Sequence, residues 1–369
     1  MGIPFRQILI QTLKQLRHVR SSLFTIVLVL GSPATRMQSQ STDSLPPAAA
    51  RNQDSLTVHS RPGEVIMRFG GDCLLANHYV TAAGENIHWA FEGFEELRRP
   101  DIAMVNLECP VTLRGKKVRK PFNFRMHPRF IAVLKEAGID IVNIANNHIF
   151  DYGRVGLFDT IAYLDSAGMM CVGAGRNNAE AHRPVIIEAS GKRIGFLGYY
   201  RGGEAPAATG NRPGVAQRKI ALIRTDIRGL KERDSVDYVV VNLHWGNEKS
   251  AAPQRWQIEL AHDIIDAGAD AIIGHHPHWL QGIERYKTGV IAYSLGNLIF
   301  GGNSRGRYDT GLFEIMLTPS GPRFNFIPVR VVDWKAIVLT GAEAEGLLRY
   351  VRRLSRIFPQ TIFTNPELR

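Results

Sequence analysis

Five times in this chain an apolar, strand-like run stops, and the next few residues are Asp, Glu, Asn or His. The run 65–69 ends at Gly70-Gly71-Asp72, and 101–105 enters Asn106-Leu107-Glu108. The run 139–144 leads to Asn146-Asn147-His148, and 238–243 leads to His244-Trp245-Gly246. The run 271–273 opens Gly274-His275-His276-Pro277-His278, and a sixth, 290–294, precedes Leu295-Gly296-Asn297. Helical patterns at 128–137, 156–167 and 254–267 fall between these runs, which predicts an α/β layered domain. In open α/β sheets the carboxyl ends of the strands form the ligand crevice. Strand ends that repeatedly deliver metal-type donors therefore predict one shared site rather than scattered surface polarity.

The candidate ligands are Asp72, Glu108, Asn147, His244, His276 and His278, with His148 beside them. Mixed imidazole and carboxylate donors suit borderline divalent metals such as Zn, Mn or Fe, with Mg admissible on an oxygen-rich side. A carboxylate has two oxygens, so one residue can bridge two ions about 3.5–4 Å apart, and such a pair activates water and clamps the oxygens of a displaced ester. His276-Pro277-His278 is the sharpest element, because Pro277 restricts the backbone between two imidazoles. His275 is read as an adjacent extra and not a ligand, and the remaining histidines lie outside strand-end contexts. Taken singly, Asp72 could be a turn residue, Glu108 a solvated loop carboxylate and Asn147 a left-handed turn residue. It is their joint placement that argues for a site.

The net charge is +11, but seven basic residues against Asp43 and Asp54 place nearly half of it in residues 1–61. The motifs lack interleaved Lys and aromatic runs, so nothing argues for nucleic acid, whereas a mildly basic body suits an anionic substrate or membrane surface. Residues 1–34 read as a signal peptide or N-terminal anchor. A basic stretch (Arg6, Lys14, Arg17, Arg20) is followed by an apolar run at 23–31, shorter than the roughly 20 residues of a membrane span. The body would then be exported, periplasmic or otherwise extracytoplasmic. Residues 35–61, rich in Ser, Thr, Pro, Ala and Gln, read as a disordered linker. The catalytic-type domain is expected over 62–335 and a helical tail over 336–369, with Leu347, Leu348, Val351 and Leu354 on one face packing inward. Three cysteines (Cys73, Cys109, Cys171) lack metal-ribbon spacing and read as small buried side chains, a Cys73–Cys109 disulfide being the lesser alternative.

Six segments in order (Phe69-Gly-Gly-Asp72, Asn106-Leu-Glu-Cys-Pro110, Ala145 to Gly153, His244 to Glu248, Gly274 to His278 and Tyr293 to Asn297) resemble the CapA family of bacterial poly-γ-glutamate capsule proteins. That family is similar in fold to the calcineurin-like metallophosphoesterases, so the resemblance implies a four-layer α/β/β/α sandwich with a dinuclear site. It implies Glu108 as the bridging carboxylate. Asn147, His244 and His276 would complete one metal, and Asp72 and His278 the other. His148 would be the proton donor to the leaving group, with Asp151 fixing its tautomer, and Glu248 and Asn297 outer-sphere or substrate-facing residues. The phosphoesterase pattern Asp-x-His is broken here, since Asp72 is followed by Cys73 and Leu74, which leaves the Asp72 metal one ligand short. Two functions follow: a metal-dependent hydrolase of an anionic phosphoester or amide, or a non-catalytic polymer-binding or export component of an envelope assembly. Either could involve an anionic polymer and a capsule-synthesis membrane complex. No Gly-x-x-x-x-Gly-Lys-Ser/Thr loop is present, so nucleotide-driven ligation is not expected of this chain. The Gly-, Ala- and Pro-rich stretch 201–217 is a candidate lid or substrate loop.

Overall fold

The computed structural model describes residues 63–363. The expected leader and linker lie outside the described residues, and no helix among those described is long and apolar enough to cross a membrane. In chain order the strands are β1 (Val65–Leu74), β2 (Ile102–Leu107), β3 (Ile141–Asn143), β4 (Met170–Val172), β5 (Ala174–Gly175), β6 (Val185–Ala189), β7 (Lys192–Tyr200) and β8 (Gly214–Val215). They continue with β9 (Tyr238–His244), β10 (Ala271–His275), β11 (Ile283–Tyr286), β12 (Gly289–Ala292), β13 (Asn297–Phe300), β14 (Arg307–Thr318), β15 (Gly321–Val332) and β16 (Lys335–Val338).

Two mixed sheets result. The first runs β16-β15-β14-β1-β2-β3-β4, with β13 added beside β1, and the second runs β11-β12-β10-β9-β7-β6. β1 to β4 are mutually parallel, as are β7, β9, β10 and β12. Parallel strands buried on both faces read as continuous apolar runs rather than alternating ones, and Tyr238–His244 is buried at every position. Between the sheets lies one core layer, with Met67, Phe69 and Met104 from the first sheet against Phe196, Val240 and Ile273 from the second. The outer face of the first sheet is covered by helices Phe130–Glu136 and Gly153–Ser166. Helices Ile220–Arg228 and Arg255–Asp266 cover the outer face of the second. The architecture is thus the expected four-layer α/β/β/α sandwich.

The terminal helix, Gly341–Ser355, sends Leu347 and Val351 into the inter-sheet core, with Leu348 and Leu354 packed partly buried beside them. The first sheet runs on through β16 across the expected 335/336 junction, so the helix follows directly from a sheet strand. All three cysteines are free; Cys73 and Cys109 are buried, and Cys171 is partly so. The 201–217 stretch contributes β8, which pairs with β5 in a small separate ribbon.

β1 positions the site by changing partner halfway. Its residues 65–69 pair with β14, and from Asp72 onward it pairs with β13 instead, the register shifting at both neighbours next to Asp72. Gly71 makes that exchange feasible: a Cβ there would stand 2.0 Å from the Gly296 carbonyl oxygen. The same Gly296 oxygen accepts the Asp72 backbone N–H at 2.9 Å. Gly71→Ala must therefore push two backbones apart, and the expected cost is about 1–3 kcal/mol, the range for overpacking a tight interior. Thermal unfolding should report it, and an unchanged Tm would mean that this approach is not a packing constraint.

Candidate metal centre

The strand ends meet because the register lines them up. Asn297, Asp72, Asn106 and Asn143 occupy one row across β13, β1, β2 and β3. In the second sheet Tyr200, His244 and His275 form the corresponding row across β7, β9 and β10. Asn106 is wired from both sides. Its carbonyl accepts from Asn143 Nδ2 (2.9 Å) and Asn146 Nδ2 (3.3 Å), so its own amide donates to Asp72 Oδ1 at 2.8 Å. These buried asparagines escaped the sequence reading, although Asn106 and Asn143 each interrupt an apolar strand and a buried amide demands partners.

Glu108 lies at the centre, 0 % exposed. Its Oε1 is 3.5 Å from His244 Nε2 and 3.8 Å from His278 Nε2. Three sets of donors each gather within 4.8 Å: Glu108 with His244 and His276, Asp72 with Glu108 and His278, and Glu248 with His276 and His278. Glu108 belongs to the first two. Asn147 Oδ1 stands 2.8 Å from His244 Nε2, which adds an amide oxygen beside the first set. His278 Nδ1 is 2.8 Å from Asn297 Oδ1 and 3.2 Å from Asp72 Oδ2, which leaves Nε2 facing Glu108. Asn297 therefore orients His278, the kind of outer contact that fixes a metal-ligating imidazole. His276 and His278 hold φ of 96° and 58° on either side of Pro277. Such backbone strain at non-glycine residues clusters at functional sites. His275 stands outside all three sets, its Nε2 3.4 Å from Asn242 Oδ1 in the second sheet.

The electrostatics call for a cation. Burial, followed by the nearby Asp72 carboxylate, pushes Glu108 well above the ordinary carboxyl range. Burial and then the neighbouring imidazoles push His244 well below the ordinary range, and burial holds His276 down to about 4. For Asp72 and His278 burial acts against charge. Burial is the largest single influence on each, but the hydrogen bond and the charge attraction between them, with smaller help from neighbours, together outweigh it, lowering Asp72 and raising His278. The Glu108 Oε1 and His276 Nδ1 atoms are buried and accept or donate no hydrogen bond. An unsatisfied buried oxygen is costly, and facing neutral imidazoles it matches a divalent ion held by nitrogen and oxygen donors. The residues thus fit a metal. The Asp-x-His departure is structural as well: Leu74, where the histidine would stand, is buried in the helix-facing core.

Beside the donors stands a second cluster. His148 Nδ1 is 2.7 Å from Asp151 Oδ2, so Nδ1–H donates and Nε2 is the free ring nitrogen. Asp151 also accepts the Phe124 N–H at 2.6 Å and pairs with Lys120 Nζ at 2.5 Å. Lys120 donates in addition to the Asn147 carbonyl at 2.8 Å. The Phe124 ring lies 4.4 Å from the His148 ring, and burial lowers the His148 pKa. Lys120 and Phe124 were not legible in advance, since they sit in a 112–126 loop with neither strand pattern nor motif. Glu248 is exposed at the rim, within the third donor set.

Comparison with known proteins identifies the family of the chain. Residues 67–302 match the model of the family described as "Bacterial capsule synthesis protein PGA_cap". The capsule biosynthesis protein CapA of Bacillus anthracis is 32% identical over 313 residues, 82% of this chain and 74% of that protein. A "Probable polyglutamine synthesis accessory protein" of Mycobacterium tuberculosis is 31% identical over 290 residues, 72% of this chain and 76% of that protein. Among solved structures, the NAD nucleotidase of Haemophilus influenzae is similar at a TM-score of 0.44 and 13% identity, over 79% of this chain and 56% of that one, a likeness too loose to carry an argument. On the strength of the family match and the two relatives, this chain belongs to the bacterial capsule synthesis protein PGA_cap family.

Proposed function

We propose that the chain is a metal-dependent hydrolase serving capsule polymer synthesis, acting outside the cytoplasm on an anionic phosphoester or amide. The observation that carries this reading is Glu108, a buried carboxylate shared by two three-donor sets with one oxygen unsatisfied. In the proposed assignment Asn147, His244 and His276 would hold one divalent ion and Asp72 and His278 another, with Glu108 available to both. Ions bound there would supply Lewis acidity to water and to a substrate oxygen.

The remaining roles belong to the protein. Asn106 and Asn297 hold Asp72 and His278 in orientation. His148, with Nδ1–H committed to Asp151, turns Nε2 toward the substrate; as the imidazolium it would give its Nε2 proton to the leaving group and keep the Nδ1 proton on Asp151, and Phe124 covers the ring. Glu248 at the rim meets the substrate. Residues 1–34 would export or anchor the chain, so that this domain works on the outer side, next to the machinery that makes the polymer.

A second reading has its own support: the mycobacterial relative is described as an accessory protein, and the Asp72 set lacks a fourth protein donor. In that case the site binds polymer or stabilises the fold without turnover. Elemental analysis of the full chain supplied with Mn and Zn should find about two ions per chain, alongside turnover of an aryl phosphodiester or a γ-glutamyl anilide. Metal without turnover on either class favours the accessory reading, and folded protein without metal overturns the hydrolase and leaves the accessory reading standing.

A further inference from the structure

Arg218 is a partly buried cation next to the strand that ends in Tyr200, in register with His244. Among the described residues no carboxylate forms an ion pair with it, and its buried Nη1 has no hydrogen-bond partner. The guanidinium lies over the Trp256 indole at 4.4 Å, a cation–π stack that fixes its plane. The Trp256 Nε1–H donates to Gln254 at 2.7 Å, and Trp256 meets Trp245 edge-on at 6.1 Å, so the ring behind the arginine has two further contacts.

Its location ties it to the metal centre. The Arg218 backbone N–H donates to the Tyr200 carbonyl at 3.2 Å. Tyr200 is in register with His244, and their rings meet edge to face at 5.7 Å. The Tyr200 hydroxyl bonds to Glu204 and lies within electrostatic reach of both Arg218 and Glu108. Arg201, the next residue after Tyr200, is a second cation. Burial first, then the like charge of Arg201, lowers the Arg218 pKa to about 10. A largely buried arginine beside another arginine, without a counter-ion, is unfavourable unless an anion arrives to complete it.

We infer that Arg218, backed by Trp256 and flanked by exposed Arg201, forms an anion-recognition subsite beside the metal centre that takes a carboxylate or phosphate group of the substrate. The inference rests on the proposed site assignment but not on turnover. A planar guanidinium with an unpartnered Nη1 can take either oxyanion. The stretch 201–217, a candidate lid or substrate loop in the sequence, begins with Arg201 and is followed directly by Arg218, so both arginines flank it.

The test is equilibrium binding to the metal-supplied full chain, by calorimetry, of two probes: inorganic phosphate and γ-linked tetraglutamate. Arg218→Gln should leave metal content unchanged and weaken at least one probe by about tenfold or more. The probe affected tells whether phosphate or carboxylate is the natural group. Arg201→Gln alters an exposed side chain and should weaken the same probe by a smaller factor, so it decides the matter if Arg218→Gln does not fold. Affinities within about twofold of wild type in both variants, or no binding of either probe by the wild type into the millimolar range, would overturn the subsite. A protein that binds through Arg218 yet hydrolyses nothing would keep the subsite and lose the hydrolase.

Discussion

Glu108→Gln protein is expected to retain almost no divalent metal and to gain none of the thermal stability that metal confers on the wild type. The substitution keeps the shape of the side chain and removes the anionic oxygen that two donor sets share. A ligand at 100 times its dissociation constant stabilises the native state by about 2.7 kcal/mol, so the wild type should show a clear rise in Tm on metal addition and the variant close to none. Without metal the order should reverse. The wild-type carboxyl is buried, with Oε1 unsatisfied, and burial and Asp72 both disfavour its charge. A neutral amide avoids that penalty, and the metal-free variant should be at least as stable as the metal-free wild type. Any turnover should fall by more than the about 10–100-fold that loss of an outer-sphere partner costs. Full metal content in Glu108→Gln would refute the shared-ligand assignment, leaving the histidines to hold a single ion without it.

The parts of this centre that could be read in advance are those written in strand-end chemistry. Asp72, Glu108, Asn147, His148, His244, His276 and His278 each follow an apolar run, and the parallel register brings such ends together, so periodicity alone announced the gathering. Asp151 entered through the resemblance to the family, and it lies 2.7 Å from His148. What stayed hidden depends on long-range packing. The partner exchange along β1 at Gly71 requires knowing that Gly296 returns to it from more than two hundred residues away. Lys120 lies on an irregular loop, and its value comes from reaching Asp151 and the Asn147 carbonyl, neither of which marks it in sequence. Arg218 is one basic residue among many by composition, and only its burial against Trp256 without a counter-ion distinguishes it. Asn106 could have been suspected, since an amide inside an apolar strand must find partners, but the direction in which its amide points is fixed by Asn143 and Asn146. Glu248 reads, through the family resemblance, as an outer-sphere or substrate-facing residue, and the structure adds its proximity to His276 and His278 at an exposed rim.

The sharpest separation between catalysis and binding lies at His148. His148→Ala should lower kcat by about 10²–10⁴-fold, the usual contribution of a positioned acid or base, while metal content stays at the wild-type level. The imidazole is not in any of the three donor sets, and its Nδ1 is committed to Asp151, so its removal takes no donor atom from them. Asp151 acts through His148 by holding Nδ1–H, which keeps Nε2 turned to the substrate and favours the imidazolium. Asp151→Asn should therefore also reduce kcat, and its effect should vanish in the double variant with His148→Ala, because an orienting group has nothing left to orient. Lys120→Met should fall between, since Asp151 keeps the Phe124 N–H after losing the lysine. Its readout must be kcat against KM: a loop that has merely loosened would raise KM, whereas a misoriented His148 lowers kcat with KM little changed. If His148→Ala turns over substrate as fast as wild type with both metals in place, the residue is structural, and the proton must reach the leaving group from water. If the wild type turns over nothing but His148→Ala binds anions normally, the centre is a binding site, and the His148–Asp151–Lys120 cluster serves to hold the 112–126 loop over it.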